Sequence, residues 1–278
     1  MPDLSAAPVV YKIPGMEQVP VQKDLVYKTV EGRPLLLDVY HPLDDDSTPR
    51  PAVIFVHGEA PPQAMAHAKD WGQYVSWGQL VAASGLVGIT FNHRSVEGLT
   101  KLTDVAGDID DLVAYLRLHA DRLHIDPNRL CFWVCSAGGP VGLTAALRST
   151  TGAVRCIVSY YAFMDLQHLD QFLGEAISPV VTPDLRRSFS PVTYLQSDRP
   201  IPPVFVMRAG QDQVPGLNES IDRFVAEGLS RNHPLTLVNA PEAPHAFDIR
   251  SDAGWARAII RQTLAFMVHH LDGAGTPE

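Results

Sequence analysis

The chain of 278 residues carries 22 Lys and Arg against 31 Asp and Glu, a formal net charge of -9, with 46% hydrophobic and 19% charged residues. That length fits one α/β domain and the apolar share can fill a large core, while the composition excludes intrinsic disorder and the basic footprint of a nucleic-acid binder. Cys131, Cys135 and Cys156 all lie in apolar stretches without the spacing of a disulfide framework, so buried reduced thiols are expected. The amino terminus lacks a positive region followed by an apolar core. The longest apolar candidate, Leu80 to Phe91, is broken by Ser84, Gly85 and Gly88 and falls short of the roughly 20 residues that span a bilayer. A soluble cytoplasmic protein without membrane association is the expectation, and the oligomeric state stays open.

In chain order, residues 1 to about 20 are rich in proline and small residues and read as a segment wrapping the surface. Leu25 to Val30 and Leu35 to Tyr40 are strand-like runs joined by the turn signal Glu31-Gly32-Arg33-Pro34, a predicted antiparallel hairpin. The pattern then alternates. Ala52 to Val56 is a continuous apolar run, as a parallel strand covered on both faces requires. Trp71 to Ser84 has helical spacing, Leu86 to Phe91 is a strand, and Asp104 to His124 reads as a helix with Val105, Ile109, Leu112, Leu116 and Leu123 along one face. Asp126-Pro127-Asn128-Arg129 reads as a turn into the strand Leu130 to Cys135; a helix follows from Val141, and Val154 to Tyr161 is the next strand. Residues 162 to 199 break the rhythm and read as an irregular insertion with one or two helices, a modest lid on a single domain covering 1–278. The strand Pro203 to Met207, a helix from about Asn218 to Leu229, the strand Leu235 to Val238 and a helix from about Gly254 to Leu271 complete the series, before a tail, Gly273 to Glu278, expected to be mobile. Alternation of this kind implies a mostly parallel sheet with helices on both faces and active residues at the carboxyl ends of strands.

Three residues meet that positional test. Ser136 stands at the apex of a sharp strand-to-helix turn, Cys135-Ser136-Ala137-Gly138-Gly139, where the Ala137 N–H faces a developing oxyanion at a helix start. Serine needs a base and the base an orienting acid. Asp212 follows the strand ending at Met207, and His245 follows the strand ending at Val238, so both lie on the same sheet edge as Ser136. In the predicted roles, His245 takes the Ser136 proton and returns it to the leaving group, while Asp212 holds the imidazole tautomer. The second oxyanion donor is expected after the strand Val53 to Val56, in His57-Gly58-Glu59: the N–H of Glu59 in preference to that of Gly58, with the Glu59 carboxylate turned away from the pocket.

These segments resemble α/β-hydrolase fold esterases of the dienelactone hydrolase, prolyl-oligopeptidase-like and feruloyl-esterase-like carboxylesterase group. The resemblance rests on Leu35 to Tyr40, Val56-His57-Gly58, Asp126 to Leu130, Ser136-Ala137-Gly138-Gly139, Gly210-Gln211-Asp212 and Pro244-His245-Ala246-Phe247, in the family's order over residues of about 24 to 250. It implies a serine hydrolase acting on a carboxylic ester of small or medium acyl group; amide, thioester and lactone substrates stay open within the same chemistry. Two positions depart from the pattern. Val134 stands where the elbow motif Gly-x-Ser-x-Gly has its first glycine, and Glu59 replaces a glycine of the family's His-Gly-Gly loop. They motivate a second reading, a hydrolase-like binding protein with a vestigial site. Cys135 is set aside as nucleophile because Ser136 directly precedes Ala137 and stands two before Gly138. No cofactor is required, and no metal site is expected, because His-Glu-x-x-His is absent and His269-His270 have only Asp272 nearby. Asp38 and Arg94 read as structural, with Arg94 in an ion pair, and Trp71, Tyr74 and Trp77 as core or pocket wall.

Overall fold

Glu31 and Gly32, at the tip of the predicted hairpin, both take positive φ (49° and 76°), the twist a two-residue turn needs between right-twisted strands. In the computed structural model, which describes residues 4–44, 48–173 and 181–272, this turn joins β1 (Val21–Val30) to β2 (Arg33–Tyr40) with Val30 opposite Arg33. Then follow β3 (Arg50–Val56), α1 (Pro62–Met65), α2 (Gly72–Ala83), β4 (Val87–Phe91), α3 (Leu102–Leu118), β5 (Ile125–Cys135), α4 (Gly139–Arg148) and β6 (Val154–Tyr160). After α5 (Asp170–Leu173), α6 (Pro183–Ser188) and α7 (Pro191–Leu195) come β7 (Val204–Ala209), α8 (Leu217–Ser230), β8 (Leu235–Ala240), α9 (Phe247–Arg250) and α10 (Gly254–Leu271).

The strands form one sheet in the order β1-β2-β4-β3-β5-β6-β7-β8. β2 runs antiparallel to both neighbours and every later pairing is parallel. The predicted fold class is therefore the observed one. Parallel pairing requires crossover helices, which is why the central strands are apolar throughout: β4 is buried along its whole length, and in β3 only Arg50 is not. On one face, Phe55, Trp133 and Tyr160 form an aromatic layer with Trp77 of α2, and the Tyr160 hydroxyl meets Thr263 Oγ1 of α10 at 2.6 Å. On the other, α3 inserts Val105, Ile109, Leu112 and Leu116, all fully buried.

Several elements differ from their predicted bounds. α3 stops at Leu118, six residues early. Leu123 is nonetheless fully buried, because residues 119–124 make a further tight turn closed by the Ile125 N–H to the Ala120 carbonyl (3.0 Å), with His124 at φ 48°. The predicted turn Asp126 to Arg129 lies inside β5, as an irregularity where the pairing skips from Arg50–Ile125 to Ala52–Leu130 and the Asn128 N–H closes on Asp126 Oδ1. The amino-terminal segment does more than wrap the surface. Val9 and Met16 join the core, and the N–H groups of Val9 and Val10 donate to Ser76 Oγ and the Asp248 carbonyl, each at 2.8 Å. Within 162–199, α7 packs against α4 and α8; part of this predicted insertion, residues 174–180, lies outside the described residues, as does the tail from Gly273. Arg94 ion-pairs with Asp108 at 2.8 Å, and Asp38 is fully buried against Lys69, the structural parts predicted for both. Among the described residues no helix is long and apolar enough to cross a membrane.

Candidate active site

Because β3, β5, β6, β7 and β8 run parallel, the loops leaving their carboxyl ends gather on one edge of the sheet. Ser136 leaves β5 at φ 52°, a left-handed conformation that a serine holds only where its surroundings impose it. Its N–H donates to the Tyr161 carbonyl at 3.1 Å and its carbonyl accepts from the Phe163 N–H at 3.0 Å, so the end of β6 clips the turn in place. The loop after β3 lies directly over it: a methyl group built on Gly58 would stand 2.9 Å from Ser136 Cβ.

Val134 is fully buried, and the helix beside it supplies the missing space. A Cβ on Gly142 of α4 would lie 3.0 Å from both Val134 methyls. The glycine absent from the strand side of the elbow is thus matched by a glycine on the helix side.

Asp212 and His245 are brought together. The loop after β7 is tied to the loop after β8 by the N–H groups of Gly210 and Gln211, which donate to the carbonyls of Ala240 and Ala243. Asp212 Oδ1 accepts from the Val214 N–H at 2.9 Å, and its Oδ2 lies 2.6 Å from His245 Nδ1. The carboxylate is fully buried and the imidazole 24% exposed. An ionised carboxylate only accepts, so Nδ1 carries the proton and Nε2 is left as a base. The ring of His245 packs against that of Tyr161, with centroids 4.7 Å apart.

In the loop after β3, the Gly58 N–H donates to the Tyr74 hydroxyl at 3.3 Å. The Glu59 carboxylate is drawn to the loop after β4, where it accepts from Ser95 Oγ and from the Val96 N–H at 3.0 Å. Among the described residues, the N–H groups of Glu59 and Ala137 donate to no protein acceptor. His57 and His93 stack behind this loop, centroids 3.6 Å apart. Burial holds both below the ordinary histidine value, His57 well below it. Cys135 is buried with its thiol pushed up to about 12 by burial, so it is a poor nucleophile. Among the described residues no three His, Cys, Asp or Glu side chains converge as ligands of a metal ion. A cavity of about 350 Å³ opens beside the loop after β4, lined by Arg33, Met65, His93, Arg94 and Lys101 but not by Ser136, Asp212 or His245.

Sequence reasoning missed Tyr161 and Asp248. Asp248, on α9, is a fully buried carboxylate that accepts from the Tyr161 hydroxyl (2.6 Å), Gln73 Nε2 (2.8 Å) and Trp77 Nε1 (3.0 Å). The available signal was positional, since Tyr161 ends a predicted strand on the active edge.

Comparison with known proteins agrees with this architecture. The BD-FAE family model matches residues 37–223, more than half of the chain. The fold is similar to that of a thermophilic esterase from Thermogutta terrifontis, with TM-score 0.72 and 20% identity over 95% of this chain and 97% of that one. The propionate-bound form of that esterase gives TM-score 0.70 and 21% identity over 95% and 98% of the two chains. The form phosphorylated by paraoxon gives 0.69 and 20% over 96% and 98%. A curated relative, the non-reducing polyketide synthase pkbA of Emericella nidulans, is 25% identical over 134 residues, which are 46% of this chain and 5% of that protein.

Proposed function

The chain belongs to the BD-FAE family, an esterase-like α/β-hydrolase family, and from that premise we propose that it is a serine hydrolase cleaving carboxylic esters through an acyl-enzyme on Ser136. The observation that carries the proposal is the 2.6 Å contact of His245 Nδ1 with the buried Asp212 carboxylate, on the sheet edge where Ser136 stands in its strained turn. In the proposed reaction His245 Nε2 accepts the Ser136 proton as Oγ attacks the ester carbonyl, then returns it to the departing alcohol. Water repeats the cycle on the acyl-enzyme with His245 again as base. Asp212 stabilises the imidazolium that forms in each step.

The N–H groups of Ala137 and Glu59 are the proposed oxyanion donors. Gly58 is the lesser candidate because its N–H is engaged by Tyr74. The Glu59 carboxylate is compatible with that role because Ser95 and Val96 hold it. The motives for an inactive binding protein weaken accordingly, since Val134 also has its space in Gly142. A small or medium acyl group is proposed by extension from the esterase of similar fold, which has been solved with propionate and with butyrate. We propose a single domain in which the described part of segment 162–199, whose α7 packs against α4 and α8, forms a small cap, and the free thiols Cys131, Cys135 and Cys156 support a cytoplasmic setting.

A fluorophosphonate probe and p-nitrophenyl acetate test the proposal. Wild type is expected to be labelled and to turn over; Ser136→Ala is expected to lose labelling and at least about a thousandfold in kcat, with its melting temperature little changed. Equal behaviour of the two proteins in both assays overturns it.

A further inference from the structure

Tyr161 is the residue through which the nucleophile and the base are joined. It takes φ 36°, an outlier for so bulky a side chain, and such strain persists only where neighbouring contacts over-determine it. Three contacts do so. Its N–H donates to the Met207 carbonyl at 3.0 Å, its carbonyl receives the Ser136 N–H at 3.1 Å, and its hydroxyl donates to Asp248 Oδ1 at 2.6 Å. Its ring lies against His245. Asp248 stands three residues after His245 and two after Ala246, which takes φ 56°, so it also fixes the loop that carries the base. The path from Ser136 through Tyr161 and Asp248 back to His245 is closed.

Every group that meets the Asp248 carboxylate donates to it. Gln73 and Trp77 occupy Oδ2, and Gln73 Nε2 also reaches the Tyr161 hydroxyl at 2.9 Å. A carboxylate with donors on both oxygens and no exposed surface is a rigid anchor, and the tyrosine it holds cannot swing without leaving a buried polar group unpaired. We infer that Tyr161, anchored by Asp248, is a positioning residue that sets His245 against Ser136; the inference rests on the triad reading above. A misplacement of about 1 Å between reacting groups can lower a rate by up to about a hundredfold without a change in substrate binding.

The neighbouring residue supplies a matched control. Tyr160 is equally buried and its hydroxyl is also held at 2.6 Å, by Thr263, but no hydrogen bond or ring contact joins it to Ser136 or His245. Each Tyr→Phe variant removes one buried hydroxyl and keeps its ring. For Tyr161→Phe, kcat on p-nitrophenyl butyrate is expected to fall about tenfold or more, with KM within about twofold of wild type and the fluorophosphonate labelling rate falling in parallel. Tyr160→Phe is expected to lose comparable thermal stability and keep its kcat. Asp248→Asn is expected to follow Tyr161→Phe; should it fail to fold, the tyrosine pair still decides. The inference is overturned if Tyr161→Phe retains wild-type kcat, or if both tyrosine variants lose kcat equally. Failure of the wild type to label at Ser136 would remove the triad reading and this inference with it, whereas normal labelling with an unaffected Tyr161→Phe removes this inference alone.

Discussion

Asp38 and Asp212 are both carboxylates with no exposed surface, yet their surroundings differ in kind. Asp38 faces Lys69, itself 2% exposed, whose ammonium also reaches Asp24 at 2.8 Å and Asp70 at 2.8 Å. Burial alone would lower the Lys69 pKa, but the hydrogen bonds it donates to the three acids outweigh it and raise it, so the lysine is a fixed charge. Asp212 faces one imidazole whose other nitrogen is open and whose ring is partly exposed. One cluster encloses Lys69 and Asp38, has Asp24 and Asp70 at its solvent edge, and holds β1, β2 and the segment before α2 together. The other is closed on the acid's side and open where a proton can be exchanged. Enclosure of the acid is common to both; what separates the structural pair from the proposed catalytic one is whether the partner can change its protonation.

The sharpest way to break this contrast is Asp212→Asn. The amide no longer selects the tautomer with Nδ1 protonated, and kcat is expected to fall by about 10³- to 10⁴-fold with the melting temperature almost unmoved. The reciprocal change is Lys69→Met, which leaves Asp38 buried without its cation. Calorimetric or denaturant unfolding is expected to report a loss of about 3–5 kcal/mol, while kcat of the folded fraction stays at the wild-type value. If Lys69→Met abolished turnover of folded protein, or Asp212→Asn chiefly unfolded it, the division between the two clusters would be wrong.

The sequence made one of these clusters visible and hid the other, for a physical reason. Ser136, Asp212 and His245 each follow a parallel strand, and strand ends are marked locally by apolar runs that stop at turn residues. Lys69-Asp70 carries no such mark. Its burial depends on Asp24 and Asp38, contributed by a hairpin some forty residues earlier, and no periodicity reports that meeting. Tyr161 and Asp248 were hidden likewise, since their hydroxyl–carboxylate contact spans 87 positions. The overrun of α3 had a different cause: Leu123 continues the apolar stripe, but a turn at His119 to His124 rather than helix puts it in the core.

Val134 was legible as an anomaly, but its remedy was not, because Gly142 reads simply as a small residue in a helix. In wild type, Gly142→Ala gains helix propensity of up to about 1 kcal/mol but presses on Val134 and on Val56 Cβ, also 3.0 Å away. In a Val134→Ala background the pressure from the strand is relieved. A double-mutant cycle is expected to give a favourable coupling of about 1 kcal/mol, and additive effects would show that the two positions do not share one space.

The His57–His93 stack sharpens the comparison from the side of the base. Like His245, both imidazoles stand at the active edge, but neither hydrogen-bonds a carboxylate: His57 Nδ1 meets the Gly58 carbonyl at 3.1 Å and His93 Nδ1 the Arg94 carbonyl at 2.7 Å. Burial lowers the pKa of each, and for His93 the opposing pull of nearby Asp108 is the smaller effect. Below the ordinary histidine value of about 6.5, the unfolded chain therefore binds protons that the folded chain refuses, and stability present above that value declines as pH falls through it. Asp108 does not blur this window. Burial raises its pKa, but the hydrogen bonds from Arg94 and Lys28 prevail and keep it below the usual carboxylate range. The melting temperature should fall between about pH 7.5 and about pH 5.5, where His41 and His270, also lowered by burial, act with the same sign, and His93→Phe, which keeps a ring against His57 but removes one of the stack's two titrating groups, should make that decline shallower even if it lowers the plateau. An unchanged slope would mean that the stack is not what the acid side of the stability curve reports.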